Sequence, residues 1–529
     1  MFNFKIKMDI HNYVLLYSLI ILSFFNKQFF INILDYKNIF LYKFFLSLIA
    51  FKILILFFSL IFYKKTTKIL SCIILILNSF VLYFMDSLNI QIDENIITNL
   101  FETNYKEAIE FVQINLFLYV IFYGILPSFF VIKFIKINYD KKNRYLLSVI
   151  TLILILIHIP LSLYNQNYLN FLKKNKKSIN YLLPANYIKG IIDYIDTLYE
   201  VKFNNKNIIS ISDDINVKQN FNINNTNNKQ NLVVFVLGES ARADNFSLNE
   251  YKRKTNPLLE NQNIINFKNT YSCATSTFLS VPCIFSHMER KNFSISKAKN
   301  TENILDIFKK LDFNIIWLSN NGGCKGVCDR VIFKEINLPN SNDSYLFEKM
   351  KNEVNNIDNN INNRNNIIIL HQRGSHGPLY YQRYPKEFEI FTPICKSSLE
   401  NCKNEEIVNA YDNTILYNDY LLNDAIEWLK TKADKFNIML LFISDHGESL
   451  GEKNSYMHGL PYSIAGKSQT HIPFFIWLSD SFVENFNIDI EFIKNKSHIY
   501  TSHDNIFHSL LGVFNIDSKY YNKQLDLFN

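Results

Sequence analysis

Asp445 and His446 directly follow the apolar run 438–443, in Ser444-Asp445-His446-Gly447-Glu448-Ser449. A buried strand that ends on a carboxylate and an imidazole presents two metal ligands on a short loop, a common construction for open metal-hydrolysis sites. An isolated Asp-His pair is more often a capped strand end, but other parts of the chain weigh against that. Glu239 follows a second apolar run, 232–237, in Gly238-Glu239-Ser240-Ala241-Arg242. Thr277 lies in Cys273-Ala274-Thr275-Ser276-Thr277-Phe278. A helix beginning there would set unpaired N–H groups and a positive dipole end beside the hydroxyl, a setting suited to phosphate. A threonine alcohol is a weak nucleophile at neutral pH and needs a base or a metal. Glu239, Asp445 and His446, with Thr277 in the fourth position, form a tetrahedral zinc set, and zinc would both favour the alkoxide and polarise a phosphoryl oxygen. Singly, these residues read as a solvated turn, a helix cap and a packed ring. Their shared placement at strand ends and a helix start argues against all three readings holding together.

The elements that must position these groups lie after residue 231. Short β-rich runs at 232–237, 314–318, 366–370, 438–443 and 472–478 alternate with helical stretches at 301–311 and 405–430. This pattern predicts an α/β fold with a mostly parallel sheet covered by helices on both faces, and ligands bind beyond the carboxyl ends of such strands.

The 48% hydrophobic and 15% aromatic content is high for a soluble enzyme of 529 residues. Much of it lies in five apolar stretches, 13–25 (extended to 30), 39–63, 69–84, 116–135 and 146–163. Each approaches the roughly 20 residues a spanning helix needs, so five transmembrane helices are expected in residues 1–166. No small-residue cleavage site follows Phe25, which argues against a signal peptide. Lys64, Lys65 and Lys68, and then Lys136, Lys141, Lys142 and Arg144, mark cytoplasmic loops, whereas Asp93 to Glu110 is acidic. The amino terminus is therefore cytoplasmic, and all that follows the last span lies outside.

Residues 167–231 are read as surface helices rich in lysine, or an ordinary solvated connector, followed by an Asn-rich linker. Residues 232–529 then form the catalytic domain. Six of seven cysteines follow the last span in three local couples, which in an oxidising compartment predicts Cys273–Cys283, Cys324–Cys328 and Cys395–Cys402. A zinc knuckle around Cys324 and Cys328 is the alternative, suited to a cytosolic domain. The formal net charge of +7 has no concentrated basic module, so no nucleic-acid partner is expected.

The segments around Glu239, Thr277 and Asp445, with Cys324-Lys325-Gly326-Val327-Cys328-Asp329 and Gly374-Ser375-His376-Gly377-Pro378, resemble the lipid A phosphoethanolamine transferase family. This is a membrane-anchored branch of the alkaline phosphatase-like superfamily that includes colistin-resistance transferases. The resemblance implies that Thr277 becomes phosphoethanolaminylated while Glu239, Asp445 and His446 hold one zinc firmly with it. His376 and His458 match family histidines that hold the phosphate or a second, weaker zinc, and a protonated imidazole there would protonate the departing diacylglycerol oxygen. Lys325 matches a lysine near the phosphate, or is an exposed turn charge. Asn99, Thr103 and Glu107, four residues apart, resemble the donor-binding segment and would share one helix face; the plain alternative is a polar face on a periplasmic helix. Ala274 stands where relatives often have glycine.

The resemblance implies transfer from phosphatidylethanolamine to lipid A or another envelope glycan or protein, in the bacterial inner membrane, with resistance to polymyxins. Rivals are a glycerophosphotransferase acting on a periplasmic glycan, a membrane-bound phosphodiesterase or sulfatase, and a sensor with a vestigial catalytic fold. The presence of all four ligand types opposes the last.

Overall fold

The computed structural model describes residues 5–529 except 32, 34–38, 103–104, 176–179, 204–207, 214, 218–228, 337–341 and 360–364. The chain divides into two compact units. Unit 1 comprises Met1–Ile97 and Phe111–Tyr194, and unit 2 comprises Thr98–Glu110 and Ile195–Asn529.

Unit 1 is helical. Helices α1 (Ile10–Phe25), α2 (Ile39–Ile61), α3 (Thr67–Leu88), α4 (Ile114–Phe134, with a π-helical segment at Val120–Ile125) and α5 (Lys141–Tyr164) occupy the five stretches read as spans. Among the described residues, only three helices, corresponding to α2, α3 and α4, are long and apolar enough to cross a membrane. The expectation of five is corrected on that count. Helix α1 has 16 residues, which at the α-helical rise spans about 24 Å of a roughly 30 Å hydrocarbon core. Helix α5 opens on Lys141, Lys142 and Arg144, and its side chains at 159 and 161–163 lie outside the described residues. Helices Gln166–Lys174 and Ala185–Phe203 follow it.

Unit 2 is built on a seven-stranded sheet of β1 (Gln230–Gly238), β2 (Ile264–Asn266), β3 (Asn314–Ser319), β4 (Ile332–Glu335), β5 (Asn366–His371), β6 (Phe436–Ser444) and β7 (Phe474–Leu478). The strand order is β2-β7-β6-β1-β5-β3-β4. The pairs from β6 through β4 are parallel, but β7 runs antiparallel to both β6 and β2. The sheet is mixed, which corrects the mostly parallel expectation. The chain reaches β7 from β6 through the loop that carries His446 and His458, and an antiparallel return needs no crossover helix.

Every residue from Leu232 to Leu237 is buried. Successive side chains of a strand point to opposite faces, so both faces of β1 are covered. Val233, Phe235 and Leu237 share a core with helices α6 (Thr277–Ile284), α7 (Ile304–Lys310) and α10 (Asp504–Val513). Helices α8 (Ser344–Asn359) and α9 (Asn404–Lys430) complete the longer elements. Helix α7 starts at a capping box in which Asn303 and Asp306 each satisfy a backbone N–H of the other. Part of the Asn-rich stretch is tied down as well. Ser210 Oγ and the N–H groups of Ile211 and Ser212 all donate to Glu302 Oε2 at 2.9 Å, and Ile211 is buried.

All three tryptophans, 317, 428 and 477, lie in unit 2, so tryptophan fluorescence of the full chain follows this unit. Phe235 is buried with its ring 5.1 Å from Phe285. Phe235→Ala should lower the unfolding free energy by about 3–5 kcal/mol in denaturant titrations. A loss below about 1 kcal/mol would mean that this core is not close-packed.

Candidate active site

Strands β1 and β6 are parallel neighbours whose last paired residues are Gly238 and Ser444. The next residues, Glu239 and Asp445, therefore leave the sheet side by side. A Cβ at Gly238 would lie 2.8 Å from the Phe442 ring, so the close approach of the two chains needs glycine. The Asp445 N–H donates to Gly238 O at 3.0 Å. Ser240 then turns through a left-handed backbone (φ +55°) and sends its N–H to Asp445 Oδ1 at 3.1 Å, while the His446 N–H reaches the same oxygen at 2.7 Å. Asp445 Oδ2 is buried and has no hydrogen-bond partner.

His446 Nδ1 lies 2.9 Å from Gly447 O, and a carbonyl only accepts, so Nδ1 carries the proton. The lone pair on Nε2 then faces Asp445 Oδ2 at 3.3 Å, Thr277 Oγ1 at 3.3 Å and Glu239 Oε1 at 3.4 Å. Thr277 Oγ1 is 3.1 Å from Glu239 Oε2. Thr277 is the first residue of α6, where a helix start was expected, and the Cys273–Cys283 disulfide joins the approach loop to that helix. Glu239, Asp445 and His446 are fully buried, whereas Thr277 is half-buried and is the one member of the set open to a substrate.

Burial pushes the Asp445 carboxyl well above the ordinary carboxylate range, and the charge of Glu239 adds to this. Burial acts the same way on Glu239, but positive charge on the imidazoles of His446, His376 and His458, when they are protonated, outweighs it and holds that carboxyl below its usual range. Two carboxylates, an imidazole lone pair and a hydroxyl converge, and one buried oxygen has no hydrogen-bond partner. A proton on Asp445 or a bound cation offsets such an arrangement. The oxygen and nitrogen donors fit a tetrahedral zinc ion.

Several supporting groups were missed from sequence. Asn321 Nδ2 donates to Glu239 Oε2 at 2.6 Å and lies 3.1 Å from His371 Nε2, while His371 Nδ1–H donates to Gly323 O at 3.0 Å. Burial pushes His371 down to about 4, so it is neutral. His503 Nδ1 accepts the Cys273 N–H at 3.0 Å and its Nε2–H donates to Ser444 O at 2.9 Å, tying the approach to Thr277 to the end of β6. The only sequence signal for His371 was its position at the end of an apolar run; Asn321 and His503 had none.

His376 and His458 are brought together beside the set, with ring centroids 5.1 Å apart and His458 4.3 Å from His446. Glu448, quoted above only as part of a motif, holds His458 Nδ1 at 2.7 Å and accepts the Tyr380 hydroxyl at 2.7 Å. Burial pushes Glu448 up to about 7. Lys325 Nζ turns back on its own loop and donates to Gly322 O at 3.1 Å. Asn99 is half-buried on helix Glu94–Glu102, Thr103 lies outside the described residues, and so does the side chain of Glu107 on helix Tyr105–Glu110. The expected shared face of those three is therefore left as a proposal. All three disulfides pair as expected, Cys273–Cys283, Cys324–Cys328 and Cys395–Cys402, which replaces the zinc-knuckle alternative.

Comparison with known proteins matches a family model described as Sulfatase to residues 231–516 and one described as Phosphoethanolamine transferase EptA/EptB to residues 50–199. The chain is 34% identical over 497 residues to phosphoethanolamine transferase EptA of Escherichia coli (strain K12), covering 91% of this chain and 89% of that protein. The chain belongs to the lipid A phosphoethanolamine transferase family. Within this family, phosphatidylethanolamine transferase Mcr-1 of Escherichia coli is 32% identical to it, over 78% of this chain and 79% of the relative. The solved structure of integral membrane protein lipooligosaccharide phosphoethanolamine transferase A (EptA) from Neisseria meningitidis superposes with a TM-score of 0.89, at 29% identity and 97% coverage of each chain. Unit 2 thus carries the alkaline phosphatase-like fold of the family, and the chain has an N-terminal membrane domain.

Burial pushes His503 down to about 3. Its folded pKa lies below its unfolded one, about 6.5, so its contribution to stability is complete above that pH and is lost as pH falls toward 3. His503→Gln keeps an acceptor and a donor but does not titrate. Between pH 6 and 5, the stability advantage of the native chain over this variant should shrink by about 1 kcal/mol. Parallel stability profiles of the two proteins would contradict this reading of His503.

Proposed function

We propose that this chain transfers phosphoethanolamine from phosphatidylethanolamine to lipid A or another cell-envelope acceptor through a covalent phosphoethanolamine-threonine at Thr277. The observation that carries the reading is the convergence of Glu239, His446 Nε2 and the unpartnered Asp445 Oδ2 on the half-exposed Thr277 hydroxyl. Glu239, Thr277, Asp445 and His446 would hold one zinc ion, with a second, weaker zinc at His376 and His458. Bound zinc would supply Lewis-acid stabilisation of charge on the reacting oxygens.

The chain's own groups supply the rest. The Thr277 hydroxyl is aimed at Glu239 Oε2. As Thr277 Oγ1 passes its proton to Glu239 Oε2 and bonds to phosphorus, the bond from phosphorus to the diacylglycerol oxygen breaks, and that oxygen takes a proton from His458 or His376. Glu448 Oε2 holds His458 Nδ1 at 2.7 Å, which leaves Nε2 as the nitrogen that would give this proton. An acceptor hydroxyl then gives its proton to the same histidine and displaces Thr277 Oγ1, which regains its proton from Glu239. Asn99, Thr103 and Glu107 would meet the ethanolamine and glycerophosphate, with Lys325 near the phosphate.

Membrane anchoring suits a reaction whose donor and acceptor are both lipids. The lysine-rich loops and the three disulfides support a bacterial inner-membrane protein with residues 1–166 in the membrane, 167–231 at its surface and the catalytic residues 232–529 in the periplasm. Adding an ethanolamine cation lowers the negative surface charge of the envelope and so weakens the binding of polymyxins.

The test is mass spectrometry of lipid A from cells expressing the native chain or Thr277→Ala. Phosphoethanolamine added by the first and absent with the second is the expected result. Unmodified lipid A in both, with the protein in the membrane, removes lipid A as acceptor. Free headgroup without any modified acceptor would favour a phosphodiesterase.

A further inference from the structure

The segment Thr98–Glu110 groups with unit 2 and not with the helices that flank it in sequence. Its last residue, Glu110, is buried and takes up two arginines. Arg383 grips it in a two-pronged pair, Nη2 to Oε2 at 2.5 Å and Nη1 to Oε1 at 3.1 Å, and Arg373 Nη2 also reaches Oε1. The Arg383 side chain is 1% exposed. Its remaining edge turns to the candidate site, where Nε donates to His376 O at 2.6 Å.

The loop so held is pinned at two further points. The N–H groups of Arg373 and Gly374 donate to the Asp343 carboxylate at 3.0 and 2.8 Å, and the Ser375 N–H donates to Glu239 O at 3.0 Å. Gly374 has φ +50°, and a Cβ there would lie 2.7 Å from Glu239 O. Loop 373–377 therefore packs directly against Glu239, and Arg383 holds its His376 carbonyl.

We propose that Glu110 is a positioning residue that acts through Arg383 to hold His376 against His458. The inference rests on the reading of His376 as a participant in phosphoryl transfer. A bidentate carboxylate fixes the plane of a guanidinium, and the plane fixes where Nε points. Without Glu110 the buried Arg383 has lost its counter-charge and turns away from the carbonyl it holds. Glu110 ends the short helix that also carries Glu107, so the same few residues that would meet the donor headgroup also set the histidine facing its phosphate.

A double-mutant cycle on kcat tests this, with diacylglycerol release from phosphatidylethanolamine in detergent micelles as the assay and the full chain as the enzyme. Glu110→Gln should lower kcat about tenfold or more, as expected for a reacting group displaced by about an ångström, and change KM less. In a His376→Ala background the same substitution should have less than about a twofold further effect, because its route is already cut. Equal factors in both backgrounds, or an unchanged kcat in the first, overturn the proposal. Should His376→Ala alone keep full kcat, the reading of His376 fails with it, and that single variant identifies the cause. If tryptophan emission shows Glu110→Gln to be unfolded, Arg383→Lys takes its place: it keeps a cation opposite Glu110 but loses the fork. The same non-additive loss is expected, and full kcat in Arg383→Lys overturns the proposal.

Discussion

The parallel pairing of β1 with β6, in a register that ends on Gly238 and Ser444, is the constraint on which the site depends. It delivers Glu239 and Asp445 to adjacent positions at one end of the sheet, where both are fully buried. A slip of one residue would send one of them to the other face. The register is held by continuous burial of both strands, by the bond from the Asp445 N–H to Gly238 O, and by the lack of a side chain at Gly238.

Two buried carboxylates side by side are costly, and the surrounding groups make sense as a response to that cost. Neutral donors satisfy three of the four carboxylate oxygens. Asn321 and the Ser240 hydroxyl bond Glu239, and two backbone N–H groups bond Asp445 Oδ1. What is left without a partner points inward. His371 and His503, both kept neutral by burial, hold the support in one tautomeric arrangement each and bring no competing charge to the site. A similar arrangement recurs one layer out, where Glu448 and Tyr380 orient His458.

The convergence of Glu239, Asp445, His446 and Thr277 was legible because these residues sit on local motifs at the ends of apolar runs or at a helix start, and such features are visible in one dimension. The helix start at Thr277 and the three cysteine couples could be read for the same reason. The direction of Phe474–Leu478 was not, because a buried strand has the same composition whether it runs parallel or antiparallel. Strands Ile264–Asn266 and Ile332–Glu335 are short, and the second is exposed throughout, so neither has the period or apolarity that marks a strand. Asn321, His503 and Glu110 reach the site from distant parts of the chain and meet only through the fold. In the membrane unit, hydropathy located five helices, but length and described composition support three as spans.

The buried Asp445 Oδ2, which has no hydrogen-bond partner, would be a ligand of the metal ion. The most direct measurement is the zinc content of the purified full chain by elemental mass spectrometry after dialysis, beside Asp445→Asn, with tryptophan emission confirming the fold of both. About one firmly bound zinc per native chain and its loss in the variant are expected, since a change to one ligand of four weakens a tetrahedral site. Equal zinc in both proteins, or an active native chain without metal, would contradict it.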